Sequence, residues 1–279
     1  MTMRKTIENW YITGDLHGSL DRFAPGRFSA RNPENTGIIC LGDCGFNYYL
    51  NEQDVKTKLI ASHLGYTFYC VRGNHEARPE DIAGMELSYD ENVGGNIYYE
   101  PLYPNIRYLL DGGFYKINDK NILVIGGAYS VDKLHRLARG WRWFSNEQLN
   151  AEERSHISDC VADYINDGGH IDLVLTHTAP ISCEPTELFL SFIDQSTVEK
   201  DMEYWLEDIK FLLSKPYMWL FGHYHADVVM NDNTVLLFNK IVDFNTIEDF
   251  SNPYVELPDG FKVSHNYAYA RETRGLPLL

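Results

Sequence analysis

The chain has 279 residues, of which 44% are hydrophobic, so it is long and apolar enough to bury a sizeable core. Its formal net charge of -16 disfavours nonspecific binding to nucleic acid, because that binding relies on Lys and Arg neutralising phosphates. No apolar run approaches the roughly 18 residues of a membrane span. The five cysteines lack paired C-x-x-C spacing, which argues against a disulfide framework and a zinc ribbon.

The N-terminal residues 1–8 pass directly into the first predicted strand and leave no room for the apolar segment of a signal peptide. We therefore expect a cytoplasmic protein that does not associate with a membrane. No protein partner is evident from the sequence.

The first part of the chain alternates predicted strands with predicted helices. Strands are expected at residues 10–13, 37–41 and 67–71. A helix is predicted over residues 51–64, packing through Val55, Leu59 and Ile60. This alternation predicts parallel strands with helices outside, and it places ligands at the carboxyl ends of the strands.

Residues 77–107 are rich in Tyr, Asn and Gly, and we expect an irregular cap or substrate-facing loop there. Two hairpins are predicted, over residues 114–125 and 228–238, because apolar runs flank polar turn residues in both. Two more strands are expected at residues 173–176 and 218–221.

Capping-box patterns at residues 145–148 and 196–199 predict the starts of two further helices. Residues 244–279 form a polar tail without clear periodicity. Since the chain shows no repeat, low-complexity tract or linker, we expect a single domain over residues 1–279.

Side chains of metal-ligand type follow five apolar runs, at the points where the strands are expected to end. The fragments are Gly14-Asp15-Leu16-His17, Gly42-Asp43, Gly73-Asn74-His75-Glu76, His177 and Gly222-His223-Tyr224-His225. Because the carboxyl ends of parallel strands meet at one edge of a sheet, these groups are expected to converge. Their mixture of carboxylate, imidazole and amide donors suits Mn²⁺, Fe or Zn²⁺. Two such ions about 4 Å apart can activate a bridging water and hold a phosphoryl group.

Taken in order, the fragments resemble the motifs of the calcineurin-like metallophosphoesterases. The resemblance implies an α/β fold, a four-layer αββα sandwich of two mixed β-sheets flanked by helices, with a dinuclear site at one edge. It implies a first metal ion held by Asp15, His17 and His225, a second held by Asn74, His177 and His223, and Asp43 bridging the two. It also implies that His75 protonates the leaving oxygen or stabilises its charge.

The sequence departs from the family pattern after Asp43. Phe46 stands where a carboxylate or amide often supports the catalytic histidine, and Asn47 is a candidate replacement. The Asp-Arg-Gly continuation typical of protein phosphatases is absent, which disfavours phosphoprotein substrates. Without that support, His75 could also be a purely structural histidine.

Several arginines are candidate contacts to a substrate phosphate. They are Arg72, Arg78, Arg136, Arg139 and Arg142. Arg78 and Arg139 are favoured, since the first closely follows the central motif and the second follows a glycine-rich segment.

The resemblance therefore implies a metal-dependent phosphoesterase with His75, Asp43 and Asn74 at its catalytic centre. A hydroxide bridging two divalent ions would attack a small phosphomonoester or nucleotide, with manganese the expected metal and Fe or Zn²⁺ the alternatives. The other hypotheses are a phosphodiesterase acting on nucleic-acid or cyclic-nucleotide diesters, and a binding scaffold without activity.

Overall fold

A computed structural model describes residues 6–28, 32–189, 193–214, 217–231 and 233–247. The strands in the first half are β1 (Asn9–Thr13), β2 (Thr36–Cys40), β3 (Thr67–Cys70), β4 (Glu86–Asp90), β5 (Gly95–Tyr99) and β6 (Ile106–Leu109). Those that follow are β7 (Gly113–Ile117), β8 (Lys120–Ile125), β9 (Leu173–Thr176), β10 (Met218–Phe221), β11 (Val228–Asn231), β12 (Thr234–Leu236) and β13 (Ile241–Asp243). The helices are α1 (Glu52–Leu64), α2 (Lys133–Arg139), α3 (Ala151–Asn166) and α4 (Asp201–Leu212).

The strands form two mixed sheets. The first has the order β13-β1-β2-β3-β6-β5-β4, and the second has the order β11-β12-β10-β9-β8-β7. Strands β1, β2, β3 and β6 run parallel, as do β8, β9, β10 and β12, while the outer strands are antiparallel to their neighbours. The predicted strands and both predicted hairpins are confirmed, although position 232 of the second hairpin lies outside the described residues.

Three layers of apolar side chains separate four layers of secondary structure, so the molecule is an αββα sandwich. The central layer lies between the sheets and joins residues such as Ile39 of β2 to Leu175 of β9. On the outer face of the second sheet, α3 and α4 pack through Val161 and Leu206. On the outer face of the first sheet, α1 contributes Ala61. The expected fold is confirmed.

The buried face of α1 differs from the one predicted. Val55, Leu59 and Ile60 are exposed to solvent, whereas Asp54 and Lys58 are buried. The Asp54 carboxylate accepts hydrogen bonds from the preceding loop, and Lys58 forms an ion pair with Glu100. Because Asp54 and Lys58 have partners on the buried face of α1, the three apolar residues lie on its solvent-exposed face.

The prediction of irregular structure over residues 77–107 was wrong. Strands β4 and β5 form an antiparallel hairpin there, and β5 pairs with β6. The Tyr-rich composition that looked irregular is typical of half-buried strands.

Two predicted helix starts were also wrong. Helix α3 begins after Asn150, which forms a capping box with Glu153, because Glu147 of the predicted box binds Ser130 instead. Helix α4 begins at Asp201, because residues 195–197 form a separate 3₁₀ turn capped by Asp194.

The tail predicted over residues 244–279 is described only as far as residue 247. Phe244–Thr246 forms a 3₁₀ turn, and the residues after 247 lie outside the described part. Within the described ranges, no helix has both the length and the apolar character needed to cross a bilayer.

Two isoleucines give a matched test of this packing. Ile39 is fully buried between the sheets, whereas Ile60 is 56% exposed on α1. We expect Ile39→Ala to lower the free energy of unfolding by about 2–5 kcal/mol through lost burial and a cavity. Ile60→Ala should change it by less than about 0.5 kcal/mol. Urea unfolding measures both, and equal losses would contradict the assigned layers.

Candidate metal centre

The turns that carry the predicted ligands have an unusual backbone. His17, Asp43, His223 and His225 all have positive φ, between 46° and 69°. Residues other than glycine rarely adopt this left-handed conformation, and strain of this kind concentrates at functional sites. The turns follow β1, β2 and β10 at the same edge of the sandwich.

Asp15, His17 and His225 form the first group of donors. The Nε2 atoms of the two histidines lie 2.9 Å apart, and Asp15 Oδ2 lies 3.2 Å from His225 Nε2. Asp15 Oδ1 accepts a hydrogen bond from the backbone of His223, and the buried Oδ2 faces the Nε2 atoms of His225 and His17, at 3.2 Å and 3.7 Å. A buried carboxylate oxygen that converges with two imidazole nitrogens fits a bound cation.

Asn74 and His177 belong to the second group, and two acceptor atoms face each other there. His177 Nδ1 lies 2.7 Å from the carbonyl oxygen of Leu41, so a neutral ring donates from Nδ1 and leaves Nε2 unprotonated. That Nε2 lies 2.8 Å from Asn74 Oδ1. In that tautomer two lone pairs face each other, and a cation bound by both atoms removes their repulsion. The pair therefore fits a metal ion as well.

Asp43 lies between the two groups. Its Oδ2 is 3.9 Å from His17 Nε2, whereas its Oδ1 is 3.6 Å from His177 Nε2. His223 joins the second group, with its ring centre 5.0 Å from that of His177. The structure thus brings all seven predicted ligands together, and each oxygen of Asp43 faces a different group.

A contact that sequence reasoning missed fixes the orientation of Asn74. Its Nδ2 donates to Ser130 Oγ at 2.8 Å, and Ser130 in turn donates from Oγ and its backbone nitrogen to Glu147. Burial raises the pKa of Glu147. Because the amide nitrogen is occupied in this way, the amide oxygen must point toward His177. The capping-box pattern at Glu147 hid this role in the sequence.

Glu76 holds the two central loops together from beneath. Its buried carboxylate accepts hydrogen bonds from the backbone nitrogens of Gly45, at 3.0 Å, and Gly73, at 3.3 Å. Burial and the nearby Asp43 raise the pKa of Glu76 to about 7. A Cβ atom at Gly73 would lie 2.0 Å from Asp43 Oδ1, so the close approach of the loops requires glycine.

His75 lies beside the donors, with its backbone nitrogen donating to Asp43 Oδ1 at 2.8 Å. Its Nε2 is 3.3 Å from Arg136 Nη2. Burial, followed by the charge of Arg136, holds the pKa of His75 well below its usual range. Asn47 is buried and its side chain makes no hydrogen bond, so it does not support His75.

The structure does not bring the two favoured arginines to the donors. The guanidinium of Arg78 binds Glu153 and the carbonyl oxygens of Asn146 and Gln148, and so anchors the segment before α3. Arg139 is exposed at the end of α2.

A buried polar network supports the second group from the α4 side. Thr178 Oγ1 donates to Glu203 Oε1 at 2.7 Å and lies 3.1 Å from the hydroxyl of Tyr224. Thr178 and Tyr224 directly follow His177 and His223 in the chain. The network therefore ties the loops after β9 and β10 to one helix.

The chain was compared with protein-family models, curated proteins and solved structures. A family model described as calcineurin-like phosphoesterase matches residues 10–227, a range that contains all seven predicted metal ligands. Comparison with curated proteins gave no match. One solved crystal structure aligns with 85% of this chain and 95% of its own, at 14% sequence identity and a TM-score of 0.45.

Glu203 makes the stability of the protein depend on pH. Burial raises its pKa from 4.5 to about 7, and its Oε2 is buried without a hydrogen-bond partner. The folded state thus holds a proton that the unfolded state releases, so stability falls as pH rises from about 4.5 to about 7. We expect Glu203→Gln to be more stable than the wild type at pH 8, by on the order of 1–3 kcal/mol, and little different at pH 4.5.

Urea unfolding at both pH values measures the effect. Asp208→Asn, at an exposed position on the same helix, is the control and should show no such gain. If Glu203→Gln changed stability equally at the two pH values, the assigned protonation would be wrong.

Proposed function

Because the chain belongs to the calcineurin-like phosphoesterase family, we propose that it hydrolyses a small phosphomonoester or nucleotide with two divalent metal ions. The observation that carries the proposal is the position of Asp43. Each of its oxygens faces a separate set of donors, as expected of a carboxylate that bridges two ions.

The donor set supports manganese as the expected metal, with Fe or Zn²⁺ as alternatives. Carboxylate oxygens and imidazole nitrogens line both positions, the amide oxygen of Asn74 joins the second, and no thiolate is among these donors. When bound, two such ions supply Lewis acidity and an activated water for attack on phosphorus.

The residues of the chain position the reactants around these ions. Asp15 and Asp43 provide the negative charge that retains the cations, and Asn74 adds a neutral ligand whose direction Ser130 fixes. His75 lies at the side of the site next to Asp43, where a departing oxygen can approach its ring. Bound cations would also offset the acidity of the protein, so that an anionic substrate could bind.

Composition supports a small substrate in the cytoplasm. The net charge of -16 opposes the long polyanionic surface of a nucleic acid. All five cysteines are free thiols, as is usual in a reducing compartment.

Metal content tests the dinuclear site. We expect about two Mn²⁺ per wild-type chain, and a loss of both in Asp43→Asn, since that residue serves both positions. Asp167→Asn, at an exposed residue after α3, should keep both ions. Elemental analysis after dialysis gives the counts, and an unchanged count in Asp43→Asn would exclude a bridging role.

Model substrates test the reaction. With Mn²⁺, the protein should hydrolyse p-nitrophenyl phosphate faster than bis(p-nitrophenyl) phosphate, measured as release of nitrophenolate. Turnover of the diester alone would indicate a phosphodiesterase. No turnover of either substrate, with metal binding demonstrated, would indicate a scaffold.

A further inference from the structure

Arg136 brings a permanent cation to the edge of the metal centre. Its Nη2 lies 3.3 Å from His75 Nε2, although the residue belongs to α2 and lies 61 positions along the chain. Arg136 is only 1% exposed. Among the arginines named from the sequence, it is the one for which the structure shows contact with a predicted catalytic side chain.

The surroundings of Arg136 fix its direction. Nε forms an ion pair with Asp132 at 2.6 Å, and Nη1 donates to the hydroxyl of Tyr48 at 2.9 Å and to the carbonyl oxygen of Arg142 at 3.3 Å. These contacts fix the plane of the guanidinium group, and Nη2 points toward His75. Burying a guanidinium is costly without compensation, and Asp132 supplies the counter-charge.

The contact with His75 also fixes which group is the donor. A guanidinium has N–H groups and no acceptor, so Arg136 donates and His75 Nε2 accepts. The Nδ2 of Asn74 lies 3.3 Å from the same Nε2 and is an N–H donor as well. At this side of the site, therefore, the charged N–H group belongs to Arg136.

We propose that Arg136 donates a hydrogen bond to the leaving oxygen of the substrate, and that the preferred substrates are phosphoanhydrides such as a nucleoside polyphosphate or inorganic pyrophosphate. The proposal rests on the proposed phosphoesterase function. An arginine stays protonated at physiological pH, so it stabilises a departing anion but does not neutralise it by proton transfer. Phosphate is a stable leaving anion, whereas the alkoxide from an alkyl phosphate requires a proton.

The bonds and charges of this step balance. The oxygen of water forms a bond to phosphorus, and the bond from phosphorus to the leaving oxygen breaks. The electron pair of the broken bond stays on the leaving oxygen, whose negative charge faces Arg136. One proton of the water passes to solvent when the water is activated, and the other stays with the phosphate that is formed. The buried position of the guanidinium strengthens its interaction with this charge.

The first test uses the wild-type protein loaded with Mn²⁺. We expect a higher kcat/KM for inorganic pyrophosphate and a nucleoside diphosphate than for glycerol phosphate. The ratio of the two anhydrides shows whether a nucleoside is recognised in addition to the diphosphate. If the alkyl ester is hydrolysed as fast as the anhydrides, the proposal is overturned.

The second test measures how the rate depends on the leaving group. Arg136→Gln should lower kcat by about 100-fold for poor leaving groups in a series of aryl phosphates, and less for good ones. Arg136→Lys, which keeps the charge, should lose less. Arg139→Gln, an exposed arginine on the same helix, is the matched control and should leave the series unchanged.

The outcomes separate this proposal from the proposed function. A uniform loss across the series in Arg136→Gln, with metal content and folding intact, would show a structural role and overturn the proposal alone. If Arg136→Gln does not fold, the series with Arg136→Lys and the substrate preference of the wild type decide the question. A metal-loaded wild type that hydrolyses none of these substrates would refute both proposals.

Discussion

Buried ligand atoms converge at one edge of the sandwich, and this convergence is the constraint that shapes the rest of the structure. Asn74 Oδ1 points at His177 Nε2 because Ser130 holds the amide nitrogen and the Leu41 carbonyl fixes the imidazole. Asp15 Oδ2 is buried and faces the ring nitrogens of His225 and His17. Such an arrangement is unfavourable in a protein interior unless a cation compensates it. Much of the surrounding structure serves to maintain it.

The sandwich provides the rigidity that this arrangement needs. The parallel strands β1, β2 and β3 end at one edge of the first sheet, and β9 and β10 of the second sheet end beside them. Beneath the turns, Glu76 ties two loops together, and Arg22 donates to the backbone oxygen of Asp15 at 2.8 Å. The positive φ angles of four predicted ligands are thus held by contacts on both sheets.

The features that could be predicted from the sequence are those that depend on residues close together in the chain. The apolar runs predicted the strands, and the seven predicted ligands at their ends lie together in the structure, since both signals lie within a few residues of each other. The outward turn of Ile60 depends on partners of Lys58 distant in the chain. The role of Ser130 and the approach of Arg136 to His75 likewise depend on contacts across more than 50 positions. Contacts between residues so far apart in the chain leave no pattern in the sequence around either residue.

Anomalous X-ray scattering from crystals soaked in Mn²⁺ tests the dinuclear metal centre directly. We expect two anomalous peaks about 4 Å apart, one beside Asp15, His17 and His225 and the other beside Asn74, His177 and His223, with Asp43 between them. A single peak would contradict the bridging role of Asp43. The absence of any peak at these side chains would contradict the metal centre itself.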